Sequence, residues 1–311
     1  MKKGALSHLS PSQKIMALLG ISLITMIASM AIGMGLAMLI FQIPIDQANT
    51  ITQMTSPQAI NALKIVQLSY GLIGFGGGAV IAQFLFSKSP FRVLGLTMAP
   101  EKNNVMLTIG FMLIALPFVT WLGYINSFLD FPEALQWLED WMQSTEETNQ
   151  RTVKKFLQMD SFGDLALNLV VIAFVTAIGE ELVFRGVLQQ LIIPLFKNYH
   201  IGIWVSAAIF SAFHMQFYGF LPRMFLGMLF GYTFYWTKNL YLPILAHFIN
   251  NGFAVVATYI YGFDTLDREI ESAAEGDEYS WVVAIMSLVI TVGIAVLIQK
   301  TNGHKKALQN L

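Results

Sequence analysis

Long apolar runs separated by short polar segments dominate the chain. The runs cover roughly residues 15–41, 60–86, 105–127, 162–195, 201–218, 223–237, 240–262 and 281–299. A helix needs about 20 mostly apolar residues to cross a membrane, and most of the runs reach that length. The pattern therefore predicts an all-α, polytopic membrane helix bundle with about eight transmembrane helices. The fifth and sixth runs are short and interrupted, so we expect those two helices to be tilted or partly re-entrant.

Composition favours lipid as the solvent of this chain. Of its 311 residues, 55% are hydrophobic and only 12% are charged, whereas a soluble domain carries about 25% charged residues. The net charge is −1, which gives no electrostatic reason to expect nucleic acid as a partner. The sequence contains no cysteine, which excludes disulfides, cysteine nucleophiles and thiolate zinc sites.

Charge in the polar segments predicts the orientation. Lysine and arginine collect at both ends of the chain, after the second run, and at Lys197 and Lys238. With eight spans these positions all fall on one side, which the positive-inside rule makes cytoplasmic. The acidic segments 128–160 and 263–280 fall on the other side. We therefore expect a multi-pass protein of the plasma or inner membrane with both termini cytoplasmic, its first apolar run being a retained helix rather than a signal peptide.

The segment 128–160 is unusually long for a connection between spans. Trp137, Leu138 and Trp141 recur at helical spacing, and Phe156 and Leu157 follow. Tryptophan is favoured where a membrane meets water. This pattern predicts one or two amphipathic helices on the extracytoplasmic membrane surface; a solvated acidic loop is the alternative. The whole chain, 1–311, is otherwise expected to form a single membrane domain.

Three charges lie within six residues of the fourth run, at Glu180, Glu181 and Arg185. Each ionisable group inside an apolar span costs about 2.5–3.5 kcal/mol, which makes it a functional hypothesis by default. Glu181 and Arg185 are four residues apart and share a helix face, so they can pair. Glu180 lies about 100° further round the helix. We therefore predict a structural Glu181–Arg185 pair and a Glu180 that is free to face a polar cavity.

Two later runs carry further polar groups in apolar surroundings. Phe210 and His214 lie in the fifth run, and His247 and Asn251 lie four residues apart in the seventh. A carboxylate can take a proton from water, and imidazole or amide groups can bind a metal or stabilise an oxyanion. If these residues converge, they can perform hydrolysis. Taken singly, each histidine or Asn251 has a simpler interpretation as an interhelical hydrogen-bond partner.

The ordered motifs Glu180-Glu181-x-x-x-Arg185, Phe210-x-x-x-His214 and His247-x-x-x-Asn251 resemble those of the CPBP family. This family comprises the CAAX proteases and bacteriocin-processing enzymes, also called the Abi family of intramembrane metalloproteases. The resemblance covers roughly residues 162–262, the expected catalytic core. It implies an intramembrane endopeptidase that acts on hydrophobic, for example prenylated, peptides or proteins in the membrane, with lipids as its other partners.

The resemblance also implies roles for individual residues. Glu180 would activate water, with His214 assisting or ligating, and His247 and Asn251 would stabilise the oxyanion or hold a metal. A divalent metal, zinc if any, would be bound by His214 and His247, with Glu180 as a further ligand. Metal-free, glutamate-activated water is the other option, because Glu180 cannot easily be both ligand and base. Three more residues would shape the site: Glu181, Arg185 and Phe210.

Two other classes of function remain as alternatives. The first is a binding or bacteriocin-immunity membrane protein that holds a peptide without cutting it. The second is a transporter, because buried charges also mark ion pathways. The transporter is disfavoured by the distribution of the charges, which are concentrated in one run instead of being spread over several.

Overall fold

The computed structural model describes residues 2–50, 56–128, 132–266, 268 and 280–309, and within these ranges the chain contains helices and no strands. Most of the predicted acidic segment 263–280 lies outside the described residues. We number the main helices in chain order: α1 (Pro11–Phe41), α2 (Pro57–Phe86), α3 (Lys102–Ser127), α4 (Gln136–Phe156), α5 (Phe162–Phe196), α6 (Tyr199–Ala212), α7 (Phe220–Thr237), α8 (Tyr241–Tyr261) and α9 (Ser280–Gln309).

Polar side chains at the boundaries decide where several of these helices begin. Ser10 and Gln13 form a reciprocal capping box at the start of α1, and Ser161 and Asp164 do the same for α5. Asn198 accepts hydrogen bonds from two backbone N–H groups of α6. Such caps satisfy N–H groups that have no partner inside the helix.

Six helices of the described chain are long and apolar enough to cross a membrane, namely α1, α2, α3, α5, α8 and the Trp281–Asn302 part of α9. The protein is therefore an integral, multi-pass membrane protein with an all-α fold. The other two predicted runs are the ones expected to be short. Helix α6 is a 14-residue apolar helix and α7 has 18 residues, so the total of eight spans stays a prediction.

The fifth predicted run is corrected by the structure. The sequence placed a helix over 201–218, but α6 ends at Ala212 and His214 lies in the turn that follows. The N–H groups of His214 and Met215 bond to carbonyls only three residues back, which tightens the last turn. Met215 then adopts a positive φ of 52°, a left-handed conformation that cannot continue the helix.

Contacts near the helix ends show which ends of the helices lie together. At one end of the bundle the Leu240 N–H donates to the Gly95 carbonyl, and the side chains of Asn104 and Asn302 exchange hydrogen bonds. At the other end Asn126 of α3 contacts the turn after α6. Helix α4 also lies at this second end, where Trp141 contacts Phe217. The described part of segment 128–160 is mostly helical, and its place on the extracytoplasmic membrane surface stays a prediction.

Helices α2 and α5 approach each other closely next to the predicted catalytic glutamate. A Cβ at Gly179 would lie 2.5 Å from the Gly71 carbonyl oxygen and 3.0 Å from the Phe75 side chain. A larger residue would require the backbone to shift there, and Glu180 is the next residue along α5. Two π-helical turns, Leu169–Val175 and Phe184–Leu188, flank this part of α5; such turns recur at functional sites.

The close contact at Gly179 predicts a specific loss of stability. Gly179→Ala should destabilise the protein by about 1–3 kcal/mol, because the added methyl group meets rigid backbone. Gly110→Ala in α3 is the matched control, since a Cβ there meets open space among the described residues and alanine favours helix. Thermal unfolding in detergent measures both variants. Equal melting temperatures for the two would contradict the packing account.

Candidate active site

The centre of the site is an ion pair buried inside the bundle. The Arg185 Nη1 donates to Glu181 Oε1 at 2.8 Å, and the side chains are 1% and 0% exposed. The other guanidinium nitrogen, Nη2, donates to the Gly227 carbonyl of α7 at 3.0 Å. A buried charge is tolerated only when it is paired and hydrogen-bonded; the guanidinium meets both conditions, whereas Glu181 Oε2 has no hydrogen-bond partner among the described residues. The pair therefore ties α5 to α7.

Aromatic rings enclose this guanidinium. Its Cζ lies 4.4 Å from the centre of the Phe210 ring and 5.3 Å from that of Phe230, which adds cation–π attraction in a desolvated setting. A Cβ at Gly227 would lie 3.2 Å from both Arg185 Nη2 and the Phe210 ring. Sequence reasoning missed Gly227 and Phe230. The spacing Gly227-x-x-x-Gly231 was the available signal, because small residues four apart let membrane helices approach.

The same Glu181 oxygen also orients His247. His247 Nδ1 lies 2.8 Å from Glu181 Oε1, and its ring stacks on Phe230 with centres 5.3 Å apart. A carboxylate only accepts hydrogen bonds, so we assign the Nδ1 proton to His247. This leaves its Nε2 directed towards Glu180.

His214 is oriented in the same way by a backbone group. Its Nδ1 lies 2.9 Å from the Phe210 carbonyl oxygen, which can only accept, so Nδ1 again carries the proton. The Phe210 ring meets the imidazole edge to face, with centres 5.0 Å apart. Phe210 therefore contacts both Arg185 and His214, and the free Nε2 of His214 faces Glu180.

Both imidazole rings lie near one carboxylate oxygen of Glu180. Its Oε2 lies 3.8 Å from His214 Nε2 and 3.8 Å from His247 Nε2. Within the described residues this buried oxygen has no hydrogen-bond partner. A separation of 3.8 Å is too long for a hydrogen bond and leaves room for a bridging atom. The structure thus brings Glu180, His214 and His247 together around one small space.

Asn251 shares a face of α8 with His247 but makes different contacts. Its Nδ2 donates to the Ile172 carbonyl at 3.4 Å, and its Oδ1 accepts from Asn250. In the described part of the chain neither bond reaches Glu180. The role predicted for Asn251 at an oxyanion stays a prediction.

The donor types also suit a metal, because zinc accepts imidazole nitrogen and carboxylate oxygen. Within the described residues, however, no group of three or more His, Asp and Glu side chains is assembled as a metal-binding cluster. Glu181 already binds Arg185 and His247, so Glu180 would have to serve as ligand and base at once. The described residues therefore do not supply a complete set of zinc ligands. The mechanism proposed below does not use a zinc ion.

The fold and the site define a polytopic membrane protein with a buried glutamate–histidine centre. Comparison with known proteins finds similarity in the segment that contains this centre. Residues 162–253 match the family model described as type II CAAX prenyl endopeptidase Rce1-like. This segment is therefore similar to the CAAX prenyl endopeptidases. It covers less than a third of the chain but contains every predicted site residue. No solved structure gives a significant match.

Two curated bacterial proteins are similar to this chain, over 86 and 96 residues respectively. The uncharacterized protein YpbD of Bacillus subtilis (strain 168) is 34% identical over 86 residues, which are 26% of this chain and 41% of that protein. The membrane-embedded CAAX protease MroQ of Staphylococcus aureus (strain USA300) is 36% identical over 96 residues, 28% of this chain and 38% of that protein. The chain therefore spans about two fifths of the length of these relatives.

Two ion pairs with the same spacing allow a direct test of the buried one. Arg185→Ala leaves a carboxylate uncompensated in the core and should cost about 3–5 kcal/mol of stability. Arg151→Ala removes the pair with Glu147, whose side chains are 72% and 59% exposed, and should cost less than about 1 kcal/mol. Unfolding in detergent compares the two. A similar small loss in both would mean that Glu181 finds other partners and that the pair does not organise the site.

Proposed function

We propose that the protein is an intramembrane endopeptidase in which Glu180 activates a water molecule for attack on a peptide bond. The single observation that carries this proposal is the buried Oε2 of Glu180, which lacks a hydrogen-bond partner among the described residues and faces two imidazole Nε2 atoms at 3.8 Å. Similarity of residues 162–253 to CAAX prenyl endopeptidases supports the same class of reaction.

The three groups divide the work as follows. Glu180 accepts a proton from the water, the hydroxide adds to the scissile carbonyl carbon, and Glu180 returns the proton to the leaving amine nitrogen. His214 Nε2 accepts the second water proton as a hydrogen bond and so orients the attack. We propose that His247 stabilises the oxyanion from its Nε2 side. Glu181 accepts a hydrogen bond from Nδ1 of the same ring and holds it in this orientation.

Burial of the site defines the class of substrate. Glu180 lies near the middle of the 35-residue helix α5, so a peptide must enter the membrane domain to reach it. We propose a membrane-associated peptide or protein with an apolar segment as the substrate. We further propose that this substrate carries a lipid modification such as prenylation. Only the similarity to CAAX prenyl endopeptidases supports this part of the proposal.

A zinc-dependent peptidase is the second candidate. The observation that favours it is the type of donor, since two imidazole nitrogens lie 3.8 Å from one carboxylate oxygen, although the described residues do not gather them into a three-ligand site. In that case Glu180, His214 and His247 would hold the ion, which would supply Lewis-acid activation of water. A third candidate, a peptide-binding or immunity protein, predicts binding without cleavage.

Peptide hydrolysis by the purified protein in detergent separates these candidates. We expect wild type to cleave hydrophobic peptides from a broad panel and Glu180→Gln to lose at least about a hundredfold in kcat, because the base is removed. Glu133→Gln, an exposed change of the same type, should cleave like wild type. Phenanthroline should leave the rate unchanged. Inhibition by the chelator that zinc restores would establish the second candidate, and peptide binding by a folded wild type without any cleavage would establish the third.

We also propose that both termini are cytoplasmic and that α4 lies on the opposite surface. The basic segments lie at the end of the bundle where Gly95 meets Leu240, and α4 lies at the other end. The cysteine-free chain allows a clean test. In spheroplasts, an impermeant maleimide should label Ser144→Cys of α4 at once and Ser7→Cys only after lysis. The reverse pattern would invert the topology.

A further inference from the structure

The turn that carries His214 is covered by α4, a helix that belongs to no predicted span. The Trp141 ring of α4 lies against Phe217, with centres 5.3 Å apart. The Asn149 side-chain amide donates to the Met215 carbonyl at 2.9 Å. Met215 is the residue next to His214, so this bond acts on the backbone that carries the imidazole.

A buried carboxylate of α4 holds the same turn. Glu146 is only 8% exposed, although most of α4 is open to solvent. Its carboxylate faces the backbone N–H groups of Phe217 and Tyr218 and the charge of Arg223. Burial raises the pKa of Glu146, and these partners act against the rise. Helix α4 therefore places a buried carboxylate against the backbone of this turn, although Glu146 Oε2 has no hydrogen-bond partner among the described residues.

The turn is held from its other side as well. Asn126 of α3 donates to the Phe217 carbonyl and accepts from the Leu221 N–H, both at 2.8 Å. Arg223 of α7 donates to the Gln216 side chain at 2.7 Å and to its backbone carbonyl at 3.2 Å. The segment between α6 and α7 is thus fixed by side chains of α3, α4 and α7.

The backbone of the turn needs such support. Met215 has a φ of 52°, and a non-glycine residue keeps that conformation only when its surroundings impose it. His214 itself bonds through Nδ1 to Phe210. The distance between its Nε2 and Glu180 therefore depends on the backbone path of residues 213–215. Asn149 of α4 contacts this backbone at the Met215 carbonyl.

We propose that α4 is part of the catalytic machinery and that Asn149 is a positioning residue, whose bond to the Met215 carbonyl sets His214 Nε2 against Glu180. The inference rests on the proposed peptidase function, and it extends the machinery to a helix outside residues 162–253. Misplacement of a catalytic group by about 1 Å can cost a hundredfold in rate. Loss of one of several anchors should cost less, on the order of tenfold.

Kinetics of matched variants test the proposal. Asn149→Ala removes the donor, and Asn149→Asp keeps the shape but places a carboxylate against the Met215 carbonyl. We expect kcat to fall about tenfold in Asn149→Ala and further in Asn149→Asp, with KM within about twofold of wild type. Gln150→Ala, which removes an exposed amide from the adjacent position, should leave both constants unchanged. A wild-type kcat in Asn149→Ala would overturn the proposal.

Hydrogen exchange gives a second readout that needs no peptidase activity. In the Glu180→Gln background, adding Asn149→Ala should speed exchange of the His214 and Met215 amides, which bond to Ser211 and Ala212 carbonyls, while adding Gln150→Ala should not. Unchanged exchange would refute positioning by Asn149 even if kcat falls. If wild type cleaves no peptide, the proposed function fails, and the exchange rates still decide whether α4 fixes the turn of His214.

Discussion

The rest of the site depends on the burial of Glu181 and Arg185. Charges in the middle of a membrane protein are expensive, and these two lie against each other with further partners, while Glu181 Oε2 has no hydrogen-bond partner among the described residues. The guanidinium bonds to Glu181 and to the Gly227 carbonyl and lies between two phenylalanine rings. The carboxylate also receives His247. One buried ion pair therefore joins α5, α7 and α8 and orients a candidate catalytic ring.

The adjacent glutamates show how neighbours in sequence acquire different roles. Glu181 Oε1 accepts from both Arg185 and His247, so this oxygen is already engaged by two neighbouring side chains. Glu180 lies on the next face, where its Oε2 meets only the unbonded side of two imidazoles. A buried carboxylate oxygen without a hydrogen-bond partner is suited to hold and deprotonate water. The division follows from the 100° between successive helical residues.

The sequence predicted the parts of the site that follow from spacing along one helix. The pairing of Glu181 with Arg185 and the different direction of Glu180 needed only helical geometry, and charge in an apolar run marked all three. Gly227 and Phe230 were missed because their contributions, a backbone carbonyl and a ring face, carry no charge to attract notice. The end of α6 at Ala212 was also missed, since Phe213 and Met215 are apolar and continue the hydrophobic pattern.

Contacts between distant segments could not be predicted in the same way. Nothing in the polar, partly acidic segment 136–156 indicates that Glu146 and Asn149 meet the backbone beside His214, because such contacts depend on how α3, α4 and α7 assemble. The same holds for Asn126, whose amide bridges Phe217 and Leu221 although it lies more than ninety residues earlier in the chain. Local pattern reveals which residues are unusual, and tertiary packing decides what they touch.

The most direct test is an experimental structure of Glu180→Gln with an uncleaved hydrophobic peptide bound. The account predicts that the scissile carbonyl, or the water poised to attack it, lies within hydrogen-bond distance of residue 180 and of Nε2 of His214 and His247. A peptide bound in the membrane domain with its backbone remote from these three side chains would contradict the claim that they form one hydrolytic site.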